Sequence, residues 1–312
     1  MNLKDAFTEA IVQKEMADKN LQRGYRAKPE SPESKVYEDY LENDCWKQLL
    51  GEMDEKYKAK YNKAGGGELN GNPPKMAAFA SSSRFLYSLA VGYPEKNELS
   101  NYTVEEELPT TIAGTANMDG YHENNSVYTF TEAKCREPYG HGPKNQIKRN
   151  YRDVYAYLRE KMPRIFSCVM EDIPPKQDEE ETPVMNVVFF CHGKIVSHFD
   201  IKQMISHLLG IATKFLTPEN NLLKAKPTIR FLYLLYNPKE LALKEPEQAE
   251  IMRIYNDTCW CATHYHFEEM FGHIVDFLAP HLYPDAEQEH LDDLKKSISF
   301  TLCDQYDYRK YF

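Results

Sequence analysis

Asp119, Glu132 and Lys134 are the residues whose types and spacing could do chemistry together. They lie in the stretch Asn117-Met-Asp-Gly-Tyr-His-Glu-Asn-Asn-Ser-Val-Tyr-Thr-Phe-Thr-Glu-Ala-Lys134. From Val127 to Cys135, β-branched and aromatic residues alternate, which predicts a strand. Side chains two apart on a strand share a face, so Glu132 and Lys134 project together with Tyr128 and Phe130. A polar break, His122-Glu-Asn-Asn125, separates this strand from Asp119 and predicts a hairpin turn. Folding back there brings Asp119 near Glu132. Two carboxylates at one point repel each other unless a cation lies between them. Hard oxygen ligands of this kind suit Mg²⁺ or Mn²⁺. A lysine beside the ion can position or deprotonate a water, or balance charge on a phosphorane. The chemistry such a set would perform is phosphodiester hydrolysis. Taken alone, the three residues read more simply as an Asp-Gly turn and an exposed Glu-x-Lys pair.

The surrounding words add to the triplet. Asp119 followed by Glu132-Ala133-Lys134 resembles the PD-(D/E)XK superfamily of restriction-endonuclease-like nucleases. Ala116-Asn-Met-Asp119 and Thr131-Glu-Ala-Lys-Cys-Arg-Glu-Pro138 look like a bacterial branch of it. So do Ala80-Ser-Ser-Ser-Arg-Phe85, Phe199-Asp-Ile-Lys-Gln203 and Phe231-Leu-Tyr-Leu-Leu-Tyr-Asn-Pro238, in that order. Met118 stands where the motif has proline. The similarity runs from about 33 to 240, with insertions.

The resemblance implies an α/β restriction-endonuclease-like core, a mixed central sheet flanked by helices. It also implies Mg²⁺- or Mn²⁺-dependent cleavage of DNA by a restriction or DNA-processing endonuclease. Asp119 and Glu132 would then bind the metal with the Ala133 carbonyl, and Lys134 would serve the attacking water. Glu38, on the first core helix, and Gln203, on the helix after the catalytic strand, would be auxiliary. Oligomeric state stays open, a homodimer included.

The elements that must position these residues can be read in order. A single domain over 1–312 is expected, with helical additions at 1–24 and 246–312 around the core. The first helix should end at Gly24, with a connector over Arg26–Ser34. Val36, Tyr37, Tyr40, Leu41, Cys45, Gln48 and Leu49 form a stripe at helical spacing that carries Glu38. A glycine-rich loop from Ala64 to Pro74 precedes a helix over Lys75–Leu89. Ser81, Ser82, Ser83 and Arg84 on it could contact phosphate; packing against the sheet is the simpler reading. Lys144, Lys148, Arg149 and Arg152, with Tyr151 and Tyr155, read equally as a nucleic-acid contact and as a solvated helix face. Val184–Cys191 and Thr228–Tyr236 read as buried strands. Asp200 caps a helix over Ile201–Thr213. Alternating strands and helices imply an α/β sheet.

Helices should dominate after Pro246. Cys259, Cys261, His264 and His266 lie there and are zinc-ligand types. Positions two apart on a helix face apart, so burial is the favoured reading over a zinc-stabilised interaction protein.

The formal net charge is −10, which argues against a broad nonspecific nucleic-acid surface. A non-catalytic nucleic-acid- or protein-binding module on the same fold is therefore the alternative function. Apolar content of 42 % supports a real core, and 28 % charged residues argue for a soluble chain. No apolar stretch is long enough for a membrane span. Seven irregularly spaced cysteines suggest no disulfide framework, which places the chain in the cytoplasm.

Overall fold

A computed structural model describes residues 3–19, 23–28, 31–64, 67–70, 74–91, 98–112, 114–140, 146–173 and 184–312, with the backbone alone at 19, 23–28, 31–39 and 43. In chain order the helices are α1 (Leu3–Lys19), α2 (Asn43–Glu52), α3 (Glu55–Lys63), α4 (Ser82–Val91), α5 (Arg152–Lys161), α6 (Ile201–Leu216), α7 (Glu245–His264), α8 (Phe267–Leu282) and α9 (Gln288–Lys296). The strands are β1 (Arg23–Lys28), β2 (Ser31–Leu41), β3 (Tyr102–Pro109), β4 (Thr115–Asn124), β5 (Val127–Lys134), β6 (Gln146–Lys148), β7 (Phe166–Asp172), β8 (Val184–Cys191), β9 (Lys194–Ile195), β10 (Thr228–Leu235) and β11 (Ile298–Cys303).

Asn125 and Ser126 join β4 to β5. Both have positive φ, 47° and 64°, the combination whose twist matches a two-residue hairpin. The hairpin extends to β3, making an antiparallel meander. β10 then pairs parallel to β5, and β11 parallel to β10. The central sheet has the order β11-β10-β5-β4-β3. A second sheet, β6-β8-β7 with β9 on β8, lies between β5 and α6 in sequence.

Both faces of the central sheet are covered, so its inner strands are apolar on both sides. Phe130, Phe231 and Tyr233 join the core containing Leu208 of α6 and Ile274 of α8. Ala133, Leu232 and Leu234 join the opposite core, with Leu86 of α4 and Phe7 of α1. Phe130 and Phe231 are fully buried, worth roughly 2–3 kcal/mol apiece. The result is a mixed α/β fold with a five-stranded mixed sheet flanked by helices.

α6 packs closely on β3. The Asp200 side chain accepts from the Gln203 amide at 3.0 Å and starts the helix where expected. A Cβ added at Gly210 would stand 2.7 Å from the Leu108 Cβ, so glycine is what lets the helix lie this close to β3. That approach sets the reach of every side chain α6 sends toward β5.

Several expectations need correction. The stripe from Val36 to Leu49 is two elements, not one helix. Val36 pairs opposite Arg26 and Tyr37 opposite Tyr25 in the β1–β2 hairpin. Glu42 then caps α2 by accepting from the Asp44 and Cys45 amides. Glu38 therefore sits on a strand, and the expected connector at 26–34 contributes to both strands of the hairpin. The predicted break at His122–Asn125 is strand down to Asn124. The helix expected from Lys75 is a short 3₁₀ turn, with α4 starting only at Ser82. The region after Pro246 is not wholly helical, because β11 completes the central sheet. No described helix is long and apolar enough to cross a membrane.

Candidate active site

The site begins where β4 leaves β5. Their pairing runs from Asn124↔Val127 to Gly120↔Thr131 and stops there. The next pair in that register would be Asp119 opposite Glu132. Instead, Asp119 Oδ2 accepts from the Ala133 amide at 2.7 Å, taking the place of a ladder carbonyl. On the other edge of β5, the Lys134 carbonyl accepts from the Tyr236 amide at 2.9 Å. Backbone groups alternate sides along a strand, so the Ala133 carbonyl also turns toward Asp119.

Glu132 and Lys134 share the α6 side of β5, where they form an ion pair at 2.6 Å. Two residues one turn apart on α6 hold them. Gln203 Oε1 accepts from Lys134 Nζ at 2.8 Å. His207 Nε2 lies 2.8 Å from Glu132 Oε2. Glu132 is 1 % exposed and His207 2 %, so this is an interior network. Glu132 Oε1 is buried and is engaged by the Lys134 ammonium.

Burial alone would raise the Glu132 carboxyl, but Lys134 and His207 outweigh it and hold it at about 2. Burial also works against the Lys134 ammonium; Glu132, then Glu137 and Asp119, outweigh it and hold Lys134 well above the usual lysine range. Lys134 is thus a fixed cation rather than a ready base. Asp119 goes the other way. Burial and the Glu132 charge push its carboxyl well above the usual range, against the pull of Lys134 and the Ala133 amide.

A surface cleft of ≈ 240 Å³ opens on Asp119, Ala133 and Lys134, with Glu68, Lys75 and Ser83 among its walls. Glu132 lies behind it. Glu68, Glu105, Glu137 and His207 were not singled out in the sequence. Glu68 sits in the glycine-rich segment and Glu105 in an acidic run, with nothing local to mark either. Glu137, three residues past Lys134, accepts from Ser82 Oγ at 2.5 Å and from the Cys135 amide at 2.8 Å. The only available signal for His207 was its place four residues after Gln203.

The donor set fits a hard divalent cation. It offers a carboxylate at a strand opening, an adjacent backbone carbonyl and a buried carboxylate oxygen that now faces the Lys134 ammonium. Among the described residues no three carboxylate, imidazole or thiol side chains are grouped so as to hold a metal ion by themselves. Mg²⁺ keeps several waters and commonly takes one or two carboxylates, so an open set suits it.

Other expected residues are placed elsewhere. The Glu38 side chain lies outside the described residues, as does Lys144. Arg84 is 2 % exposed and bonded to Glu15 at 2.7 Å and to the Ala78 carbonyl at 3.0 Å, so it packs α4 rather than facing the cleft. Arg149 and Arg152 both pair with Asp172, and Tyr151 and Tyr155 are buried. Cys259, Cys261 and His264 lie on α7, with His266 at the positive-φ junction to α8. Cys261 is in the core, and His264 stacks on Trp260 at 4.5 Å.

No family model matches the chain, and neither a curated protein nor a solved structure matches it.

The acids around the cleft predict a pH dependence. Burial, then Glu68, pushes the Glu105 carboxyl up to about 7 from 4.5. The folded state therefore holds a proton that the unfolded chain releases earlier. Stability of the metal-free protein should fall as pH rises from about 4.5 to about 7, the reverse of the usual carboxylate. Asp119 adds to the fall in the same direction. Thermal melts in EDTA between these pH values check this; a melting temperature that holds or rises across the window would contradict it.

Proposed function

We propose that this chain is a Mg²⁺- or Mn²⁺-dependent nuclease that hydrolyses DNA phosphodiester bonds on a restriction-endonuclease-like core. The observation that carries the reading is Asp119 lodged at the β4–β5 opening on the Ala133 amide, beside the Glu132–Lys134 pair. The order of elements supports it: the meander β3-β4-β5, then α6, then β10 parallel to β5. Asp119, Glu132 Oε1 and the Ala133 carbonyl would hold the ion. Such an ion supplies polarisation of a phosphate oxygen and a more acidic bound water.

The protein's own groups do the rest. Lys134, kept protonated by Glu132 and aimed by Gln203, presents positive charge at the cleft. That charge stabilises the negative charge that grows on the phosphate during attack. His207 holds Oε2 of Glu132, and Oε1, which faces the Lys134 ammonium at 2.6 Å, would be shared between that ammonium and the ion. Asp119 gives up its proton when a cation enters, so ion binding should tighten as pH rises.

A binding module that does no chemistry is the second reading. It is favoured by the net charge of −10 and by the use of Arg149 and Arg152 in internal ion pairs. Plasmid nicking by purified protein with Mg²⁺ or Mn²⁺, beside an EDTA control, separates the two. Metal-dependent nicks support the nuclease; intact plasmid with millimolar Mn²⁺ bound to the protein supports the module.

A further inference from the structure

Arg136 stands in the wall of the cleft, two residues past Lys134. Its backbone is fixed from both sides. Before it, the Cys135 amide donates to Glu137 Oε2 at 2.8 Å and to Ser82 Oγ at 3.1 Å, and the Cys135 side chain is buried. After it, the Tyr139 amide donates to the Arg136 carbonyl at 3.1 Å and closes a 3₁₀ turn over Glu137–Tyr139. That turn is pinned by His198 Nδ1, 2.9 Å from the Pro138 carbonyl, and by Tyr139, whose ring stacks on Phe7 at 4.2 Å. Arg136 is therefore a half-buried side chain on a rigid base, lining the same cleft as Asp119 and Lys134.

Its guanidinium makes no hydrogen bond or ion pair among the described residues. Other arginines mark the contrast: Arg84 pairs with Glu15, Arg149 and Arg152 with Asp172, and Arg253 with Glu250 and Asp257. The chain has 48 acids against 38 lysines and arginines, so an unpaired arginine does not reflect a shortage of carboxylates. The acids of the same cleft are committed elsewhere. Asp119 accepts from the Ala133 amide, Glu137 gives one oxygen to Ser82 Oγ and the other to the Cys135 amide, and Glu68 accepts from the Ser83 hydroxyl. A guanidinium cannot shed its charge, so it stands ready for an anion that comes from outside.

We propose that Arg136 grips a backbone phosphate of bound DNA, the one next to the phosphate that Lys134 faces. Two residues and a turn of the chain separate the two cations, so they address different phosphates. A guanidinium presents paired N–H groups that match two phosphate oxygens, which a lysine ammonium does not. A contact of this kind sets the register of the strand and reads no base. It also gives an acidic chain a local anion site without a broad basic surface. This rests on the nuclease reading for which phosphate is held, but not on cleavage.

The test measures binding of a short fluorescent DNA duplex against KCl concentration, with Ca²⁺ as the oxygen-ligand ion. Wild type is compared with Arg136→Ala and Arg136→Lys, and with Arg164→Ala, an exposed arginine outside the cleft. Loss of one phosphate contact should make the slope of log affinity against log salt shallower by about 0.9. Arg136→Ala should show that change and bind roughly tenfold more weakly, as loss of a charged hydrogen-bond donor implies. Its melting temperature should stay close to wild type, since no internal bond is removed. Arg136→Lys should keep the slope and still bind several-fold more weakly, because the paired grip is lost. Arg164→Ala should match wild type. In nicking with Mn²⁺, the loss in Arg136→Ala should appear in KM rather than in kcat, the pattern of uniform binding.

An unchanged salt slope in Arg136→Ala would overturn the proposal. So would wild-type affinity in Arg136→Lys, or the lack of any DNA binding by wild type. A fall in kcat as large as the fall in kcat/KM would also overturn it, by putting the guanidinium on the reacting phosphate. Failure of the nuclease reading looks different: the salt slope shifts as expected while plasmid stays uncut.

Discussion

Asp119→Asn and Lys134→Ala should look alike in a nicking assay and opposite in a calorimeter. Asp119→Asn replaces a charged ligand by a neutral amide of similar shape. It should weaken Mn²⁺ binding at least tenfold, by roughly the loss of one ligand charge, and stop cleavage with it. Lys134→Ala should lower turnover by roughly 10²–10³-fold, the range seen when one preorganised group facing the developing charge is removed. It should not weaken the ion. The ammonium stands 2.6 Å from Glu132 Oε1, and without it the site is more negative. Mn²⁺ should then raise the melting temperature of Lys134→Ala by more than it raises that of wild type. Equal nicking by Lys134→Ala and wild type would remove the lysine from the mechanism. Weaker Mn²⁺ binding by Lys134→Ala would mean that the lysine organises the site rather than opposing the ion.

The Glu132–Lys134 pair should also dominate local stability. Removing one partner of a buried pair leaves the other charged and unmatched, which costs about 3–5 kcal/mol. Glu132→Leu should therefore lower the unfolding free energy by about that much in urea titrations without metal. Here the lone Lys134 keeps Gln203 as its only hydrogen-bond acceptor among the described residues. The double variant Glu132→Leu/Lys134→Met should recover most of the loss, because an apolar pair of similar volume often replaces a buried ion pair at little cost. The cycle reports their coupling. Additive losses in the double variant would show that the pair is not coupled, and that its burial serves packing alone.

What the sequence disclosed follows from how local each signal was. β5 and α6 were legible because a period-two alternation and an aspartate cap act within a few residues. Gln203 and Lys134 lie 69 positions apart, yet each sat in a recognisable word. β2 was misread because its tyrosines and valine also fit a helical stripe. The deciding residue was Glu42, whose side chain caps the amides that follow it. β11 was hidden because a parallel edge strand needs a partner far away in the chain and no turn announces it. β7 went unread for a related reason: its mate β8 lies beyond an acidic segment. Glu105 was invisible for a third reason. Its raised carboxyl comes from burial and from Glu68, and neither is written in residue type.

The late arrival of β11 has a consequence during synthesis. β10 presents Ile229-Arg-Phe-Leu-Tyr-Leu-Leu235, and its outer edge pairs with Ile298–Cys303. Tyr308, further still along the chain, supplies the hydroxyl that meets Tyr102 at 2.9 Å and Thr131 at 3.1 Å. At about 5–20 residues per second, a ribosome needs on the order of 3–13 s to pass from Leu235 to Ile298. Throughout that interval the nascent chain carries an apolar strand edge open to its neighbours on the polysome. Slower initiation, lower temperature or a chaperone that shields extended apolar segments should therefore raise the yield of folded protein more than any change at the cleft.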